Sequence, residues 1–257
     1  MALSPDFRSY SGVSGSAATQ AVVDAGLRAY MLRVYNWMAS GLLLTGIVAY
    51  VIVNTPLKAA FYHNVVTPAG VIPDQPTGLT WISVFAPLVF VMVMSFGVNK
   101  LSRTTAQTLY WLFCAAMGAS LTNILLIYTT DSIVRVFFIT AATFGAVSLY
   151  GYTTRADLSR MGSFLFMGLI GIIIAAVVNM FMQSTMIQFA ISIIGVIVFT
   201  GLSAYDTQRI KADYVQYAYS YGPEQAAKRS VYDALSLYLN FINLFMLLLS
   251  LLGNRQR

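Results

Sequence analysis

The sequence has very few charged residues for its length. Of its 257 residues only 9% are charged, while 58% are hydrophobic. An ordinary soluble domain carries about 25% charged residues, and nine acidic and fifteen basic side chains could not cover the surface of a soluble fold of this size. This scarcity excludes a disordered chain and a soluble nucleic-acid-binding protein, and it indicates that lipid is the main solvent.

Cysteine and histidine are also nearly absent, which limits the chemistry that the chain can support. Cys114 is the single cysteine and His63 the single histidine. A single cysteine excludes a disulfide framework and a multi-cysteine metal site. A single histidine leaves little room for a histidine-based metal or catalytic site. We interpret Cys114 as a small core residue and His63 as a surface residue. Because no hydrolase motif or phosphate-binding loop is present either, we expect no enzymatic activity and no cofactor.

Long apolar runs are what the sequence has in abundance. Seven segments contain the roughly 20 mostly apolar residues that a helix needs to cross the hydrocarbon core. They predict an all-α membrane protein with one seven-helix domain at residues 31–257, preceded by a flexible cytosolic tail at residues 1–30 without a signal peptide. In chain order, segments one to seven are residues 36–53, 79–98, 107–128, 133–152, 162–182, 187–205 and 232–252.

Two of the connections between these segments have features of their own. The loop at residues 54–78 contains four prolines, and we expect it to be irregular. The link at residues 209–231 is polar, and we expect it to extend segment six by one or two helical turns before it forms a loop.

The basic residues indicate how the segments are oriented. If the N-terminus is cytosolic, eleven of the fifteen lysine and arginine residues fall on the cytosolic side and four fall outside. Cytosolic loops of membrane proteins carry such an excess, and seven crossings would place the short C-terminal tail outside. The net charge of +6 is thereby explained by topology, so it does not indicate a nucleic-acid partner.

Polar side chains within the apolar segments are informative, because ionisable groups at membrane depth are costly and usually face a partner or a cavity. Asp206 ends segment six. From its position alone, the favoured interpretation is an interfacial carboxylate that is hydrated or paired with Arg209, three residues further on. We interpret Thr122, Asn123 and Asn179 as hydrogen-bonding contacts between helices.

Segment seven carries a stripe of polar residues. Asp233, Ser236, Asn240 and Asn243 recur at steps of three, four and three, which places all four on one face of a helix. A polar stripe on an otherwise apolar spanning helix must point into the bundle, so segment seven is predicted to be the central helix. The stripe itself is compatible with hydrogen bonding between helices and with a polar pathway or ion site, and the pattern does not separate these two readings.

Two motifs in the last two segments resemble signatures of the Bax inhibitor-1 family, in its bacterial YccA-like branch. They are Ser-Ala-Tyr-Asp-Thr-Gln at residues 203–208 and Ala-Leu-Ser-Leu-Tyr-Leu-Asn-Phe-Ile-Asn-Leu-Phe at residues 234–245. Tyr-Asn-Trp-Met at residues 35–38 and Ser-Leu-Tyr-Gly-Tyr-Thr-Thr at residues 148–154 are supporting matches. The resemblance runs from about residue 28 to residue 253.

The resemblance implies a fold and two different functions. Members of the family have seven helices, with the last one surrounded by the other six. Bacterial relatives are described as pH-sensitive calcium leak channels, which implies an inner-membrane location, and eukaryotic ones as suppressors of cell death that lower stored calcium. Other bacterial relatives bind and restrain a membrane-anchored ATP-dependent protease.

In the calcium-leak mechanism that the resemblance implies, two aspartates on helices six and seven share a proton near the cytosolic side. The first falls on Asp206, which would also be a weak calcium ligand, but the second falls on Asn240. Because an amide does not titrate, pH gating should be weaker or shifted to lower pH, and calcium should bind less well. Lys100 is the candidate for the basic residue that latches the aspartate. Asp213 and Asp233 are candidate substitutes for the missing carboxylate, and both are expected to be more exposed.

Two hypotheses follow. The first is a passive cation pathway along segment seven, with calcium or protons as permeant or gating ions. The second is a regulator that transports nothing and binds a membrane protease or another membrane complex through residues 1–26 and 209–231. The candidate residues of the pathway are Asp206, Asn240, Lys100, Asp233, Ser236 and Asn243.

Overall fold

The fold is built from long helices and one short β-hairpin. The computed structural model describes residues 11–67, 70–98, 100–218 and 223–256. In chain order the elements are α1 (Ser11–Asn54), α2 (Lys58–Phe61), β1 (Tyr62–Thr67), β2 (Gly70–Pro76), α3 (Gly78–Gly97), α4 (Arg103–Ile127), α5 (Thr130–Thr153), α6 (Ser159–Met182), α7 (Thr185–Ala218) and α8 (Pro223–Leu252).

Seven helices in the described part of the chain are long and apolar enough to cross a membrane. Each predicted segment overlaps one of them, with segment seven inside α8, so the prediction of an all-α protein with seven spanning helices is confirmed. The spans are Asp24–Asn54, Gly78–Gly97, Arg103–Ile127, Thr130–Thr153, Ser159–Met182, Thr185–Val215 and Glu224–Leu252.

The loop at residues 54–78 is more ordered than its prolines predict. After the single turn of α2, β1 and β2 form an antiparallel hairpin in which Tyr62 lies opposite Pro76. The expectation of an irregular loop is therefore wrong. Both strands of a two-stranded sheet are edge strands, so β2 accommodates two prolines without losing an interior ladder bond. An ion pair of 2.8 Å between Lys58 and Asp74 joins α2 to β2.

Three of the helices extend beyond the bounds predicted from the sequence. α1 begins at Ser11, within the segment that the sequence analysis predicts to be a tail at residues 1–30; residues 1–10 lie outside the described residues, and the tail stays a prediction. α7 continues to Ala218, so segment six is extended as predicted, but by more than the expected one or two turns. α8 begins at Pro223, before the predicted start of segment seven, and an ion pair between Asp213 and Arg229 joins the two helices here.

α8 is the most buried of the spanning helices in the described part of the chain. Half of the residues in its most apolar stretch are buried, against 6% in α6. α8 packs against α1, α4, α5 and α7, whereas α3 packs mainly on α4 and α6 mainly on α7. Encirclement of α8 by all six other spanning helices, as the resemblance implies, stays a prediction.

The two ends of the bundle are named here by their content. The basic end contains the α3–α4, α5–α6 and α7–α8 connections and holds Arg103, Arg155 and Arg229, among other basic residues. The hairpin end contains β1, β2 and the α4–α5 and α6–α7 connections.

Glycines allow two helices to approach α7 closely near the basic end. A Cβ atom at Gly151 of α5 would collide with the backbone oxygen of Ala204, and one at Gly162 of α6 would collide with the ring of Tyr205. Ala204 and Tyr205 directly precede Asp206 in α7. Therefore α5 and α6 together cover the part of α7 that carries this carboxylate.

Candidate functional site

Asp206 and Asn240 meet inside the bundle. Asp206 on α7 and Asn240 on α8 are both buried, with 8% and 7% of their surface exposed. The Nδ2 atom of Asn240 donates a hydrogen bond of 2.7 Å to Oδ2 of Asp206. The structure thus brings together the two residues that the resemblance pairs, although their roles are not tested by this contact.

Arg209 occupies the other oxygen of the Asp206 carboxylate. Its guanidinium lies 3.0 Å from Oδ1 of Asp206, so the predicted pairing of these two residues is confirmed. The same nitrogen lies 3.4 Å from the hydroxyl of Ser236 on α8, and the guanidinium is 5.9 Å from the centre of the Tyr205 ring. One carboxylate oxygen is therefore bound by an amide and the other by a cation.

A second carboxylate lies nearer the basic end. Asp233 on α8 is only 2% exposed. Tyr30 of α1 donates a hydrogen bond of 2.5 Å to its Oδ2 atom, and Nε of Arg229 lies 3.3 Å from its Oδ1 atom. Arg229 also pairs with Asp213 of α7 at 3.1 Å. The expectation that Asp233 is exposed is wrong, because α1 covers it.

These contacts form three polar layers between α7 and α8. The two helices run in opposite directions, so residues in increasing order on α7 meet residues in decreasing order on α8. Steps of three and four residues keep every member on the facing side of its helix. From the bundle interior to the basic end, the layers are Asp206 with Asn240, Arg209 with Ser236, and Asp213 with Arg229 and Asp233.

Two other candidate residues have different surroundings. The amide nitrogen of Asn243 donates to the backbone oxygen of Leu239 in its own helix, at 2.8 Å. Lys100 is exposed, and the ion pair of Asp206 is made by Arg209 instead. A latching role for Lys100 is therefore still a prediction that no described contact supports.

The sequence analysis missed Tyr30 and Arg229. Arg229 precedes Asp233 by four residues, a spacing that favours an ion pair on one helix, so this contact had a signal in the sequence. Tyr30 had none, because it lies in α1, 203 residues away from Asp233 along the chain.

The arrangement is suited to holding single negative charges inside the membrane domain. Each buried carboxylate receives one uncharged hydrogen-bond donor and one guanidinium. Within the described residues no group of three His, Cys, Asp or Glu side chains could hold a metal ion.

An apolar groove of about 750 Å³ lies between α1 and α5. Met38, Leu42 and Phe144 line it, and Phe241 of α8 is part of its surface. Such a lining suits hydrocarbon and not a hydrated ion. The groove is therefore not an aqueous route to the polar layers.

In the described part of the chain, seven helices able to span a membrane and a buried carboxylate–amide pair between two of them define a multi-pass membrane protein with a polar interior. Comparison with protein families narrows this class. The family described as "Inhibitor of apoptosis-promoting Bax1" matches residues 27–257. The chain belongs to this family, the Bax inhibitor-1 family, which confirms the resemblance seen in the last two segments.

Individual relatives match over nearly the whole chain. The uncharacterized protein RP147 of Rickettsia prowazekii is 46% identical over 233 residues, which cover 91% of this chain and 92% of the relative. An uncharacterized protein of Caulobacter vibrioides is 44% identical over 238 residues, or 91% and 92% of the two chains. The inner membrane protein YbhL of Escherichia coli is 42% identical over 233 residues, or 90% and 94%.

Proposed function

We propose that the protein is a passive cation leak pathway in a bacterial inner membrane, with calcium as a permeant ion and Asp206 as the residue that gates it. The observation that carries this proposal is the buried Asp206 carboxylate, held inside a spanning helix by Asn240 and Arg209. Ionisable groups are rare in membrane segments because they are costly, and they typically mark ion pathways or partner contacts.

The described conformation corresponds to a closed pathway in this proposal. Arg209 places a positive charge on the Asp206 carboxylate, and a cation that moves through the polar layers is repelled until that ion pair separates. Opening therefore requires that Arg209 leave Oδ1 of Asp206. The basic end faces the cytosol, as the excess of lysine and arginine predicts.

Asn240 weakens the pH gating of the pathway or shifts it to lower pH, because an amide does not titrate. A protonated aspartic acid at this position would donate one hydrogen bond to Asp206, and the Asn240 amide donates the same bond permanently. The pair therefore carries one negative charge at any pH at which Asp206 is ionised. A relative with two carboxylates there would lose a proton from the pair as the pH rises.

Flux measurements test the gating residue. The purified protein is reconstituted into liposomes that contain a calcium-sensitive dye, and Asp206→Asn is compared with the wild type. The substitution leaves Arg209 without its counter-charge, so we expect calcium influx to fall at least about fivefold. Asp157→Asn is the matched control, because Asp157 lies in the α5–α6 connection and is exposed, and its flux should equal that of the wild type.

A second experiment tests the role of Asn240. The wild type should show nearly the same flux at pH 6 and pH 8, whereas Asn240→Asp should match the wild type at low pH and diverge from it as the pH rises. The sign follows from the shared proton: the two carboxylates hold one proton at low pH and repel each other once it is lost. An Asn240→Asp variant whose flux ignores pH would contradict the gating role.

The flux assay also discriminates against the alternative function. If neither the wild type nor any variant conducts calcium at either pH, the leak proposal is wrong, and a regulator of a membrane complex becomes the working hypothesis. Isolation of the protein from its native membrane in mild detergent, with and without residues 1–20, would then show whether a membrane protease is retained by that segment.

A further inference from the structure

The apolar groove between α1 and α5 reaches the side of α8. Both helices pack on α8, but in the described part of the chain they are not among the pairs of helices that pack extensively on each other. Phe241 of α8 forms part of the groove surface, and its ring centre lies 5.6 and 5.5 Å from those of Phe137 and Phe144 on α5. The groove is therefore a gap between two spanning helices, with α8 as its floor.

Two glycines leave the walls of this groove unfilled. Gly46 lies on the α1 wall and Gly145 on the α5 wall, and a Cβ atom at either position would have no neighbour within 4 Å. Leu43 and Ile47 of the α1 wall are 65% and 50% exposed, so the groove opens outward. Because both walls belong to helices that are long and apolar enough to span a membrane, the medium outside the groove is lipid hydrocarbon.

The dimensions of the groove suit a single acyl chain. The groove extends along α1 from Tyr35 to Tyr50, which is about 22 Å of helix at about 1.5 Å per residue. The hydrocarbon of one leaflet is about 15 Å thick, half of the bilayer core. A further helix of the same length, about 10 Å across with its side chains, would occupy about 1,700 Å³. That volume exceeds the roughly 750 Å³ of the groove.

A lysine lies at the basic end of the groove. The hydroxyl of Tyr35, a groove residue, lies 3.5 Å from that of Thr207 on α7, and Lys211 follows Thr207 by one helical turn. The Lys211 ammonium donates to the backbone oxygen of Tyr152 at 2.9 Å and lies 5.0 Å from the centre of that ring. Tyr152 is two helical turns beyond Gly145 on the same face of α5, so these contacts place Lys211 at the mouth of the groove.

Positive charge at this mouth is available to a ligand. An ammonium group has three donors, and Tyr152 accepts from one donor of Lys211. Within the described residues no ion pair includes Lys211, and its side chain is partly exposed. Arg28 precedes Tyr35 by two helical turns, lies on the same face of α1 and is exposed. The basic end of the groove is thus suited to an anionic group.

We propose that the groove is a binding site for an anionic phospholipid. One acyl chain lies between α1 and α5 against Phe241, and the phosphate of the headgroup is bound by Lys211 and Arg28. Basic pockets between spanning helices are typical sites for acidic lipid headgroups, and a lysine stem can follow apolar surface while its charge stays at the interface. The proposal requires no conduction of ions, so it is independent of the proposed function.

Filling the groove tests the acyl-chain part of the site. The protein in mild detergent is titrated with phosphatidylglycerol, and bound lipid is counted by native mass spectrometry. Gly145→Leu puts a side chain into space that no protein atom occupies, so the fold should be kept and the affinity for the lipid should fall about tenfold. Gly46→Leu fills the groove from the opposite wall, and it is the test if Gly145→Leu does not fold.

Gly171→Leu is the matched control for the groove. It is the same change in the spanning helix α6, at an exposed residue where a Cβ atom also has no neighbour within 4 Å, so lipid affinity should equal that of the wild type. If the variants at Gly46 and Gly145 bind lipid as tightly as this control, the groove is not a lipid site. If they instead convert a dimer into a monomer, a second copy of the chain occupies the groove and the proposal is wrong.

Lys211→Gln tests the headgroup part of the site. It removes the charge and keeps a donor for Tyr152, so the affinity for phosphatidylglycerol should fall about fivefold, while that for phosphatidylcholine, which has no net charge, should not change. Lys58→Gln changes the net charge equally but lies at the hairpin end, paired with Asp74, and should bind like the wild type. Equal affinity of the wild type for both lipids, or equal losses in the two lysine variants, would overturn the anionic headgroup.

Discussion

The two halves of α8 are held in the bundle by different interactions. Toward the basic end, Asn240 donates a hydrogen bond to Asp206 of α7, and Asp233 accepts one from Tyr30 of α1. Toward the hairpin end, Leu244 and its neighbours pack with apolar residues of α6 and α7, among them Leu165 and Val198. One helix therefore combines a polar contact surface and an apolar one.

The difference matters because lipid replaces water around this bundle. Lipid tails are as apolar as leucine, so apolar packing between helices gains close contacts and little from the transfer itself. Polar groups have no substitute partner in lipid and must pair inside the protein. The apolar half of α8 is thus expected to determine how stably the helices pack, and the polar half to determine which conformation they adopt.

The largest loss of stability should come from a cavity in the apolar half. Leu244 is completely buried, and Leu244→Ala should lower the free energy of unfolding by about 3 kcal/mol, because the neighbouring helices cannot fully collapse into the space. Thermal unfolding in detergent, followed by circular dichroism, measures the effect. Calcium flux of the protein that remains folded should be unchanged.

Leu43→Ala is the control for this cavity. The same atoms are removed from α1 at a residue that is 65% exposed, where detergent or lipid fills the space. Its unfolding midpoint should stay close to that of the wild type. If both variants lower the unfolding midpoint equally, the size of the apolar side chain, and not its close packing, is what stabilises the apolar half.

A smaller loss of stability is expected from a substitution in the polar half of α8. Asn240→Leu deprives the buried Asp206 carboxylate of its amide donor and leaves it with Arg209, so we expect a destabilisation of about 2 kcal/mol, as for other hydrogen bonds to charged groups. Asn243→Leu is its control, since the Asn243 amide bonds the backbone of its own helix. If the two leucine variants unfold at the same temperature, the Asp206–Asn240 bond contributes nothing specific.

The same contrast explains what the sequence could predict. The apolar runs indicated all seven spans and the steps of three and four along α8 indicated its inward face, because both are local patterns. The pairing of Asp206 with Arg209 followed from their spacing on one helix. Tyr30 could not be found, since its partner Asp233 is distant in the chain, and the burial of Asp233 was missed for the same reason.

The β1–β2 hairpin is another element that local sequence patterns could not predict. Prolines predict an interrupted backbone, yet Pro73 and Pro76 lie within β2. Their neighbours decide the outcome, because β1 pairs only on one side and the ion pair of Asp74 with Lys58 fixes the strand to α2. The amino-acid composition predicts correctly that this segment connects two helices. It cannot predict which residues of the segment pair as β-strands.

The smallest effect should come from a hydrogen bond between uncharged side chains. The hydroxyl of the buried Thr45 in α1 lies 2.7 Å from the Tyr238 hydroxyl of α8 and 2.9 Å from the backbone oxygens of Gly41 and Cys114. Thr45→Val removes these contacts while keeping the shape of the side chain. Because bonds of this kind between membrane helices contribute about 0.6 kcal/mol on average, the unfolding midpoint should fall by only one or two degrees.

Thr122→Val is the control for this small decrease in the unfolding midpoint. Thr122 is also fully buried, but its hydroxyl bonds the backbone of its own helix at Gly118, at 3.2 Å, so the variant should lose less than Thr45→Val. A loss at Thr45 as large as the one at Leu244 would contradict the division of α8 into a half that sets stability and a half that sets conformation. It would mean that polar contacts between α1 and α8 stabilise the bundle as strongly as apolar packing does.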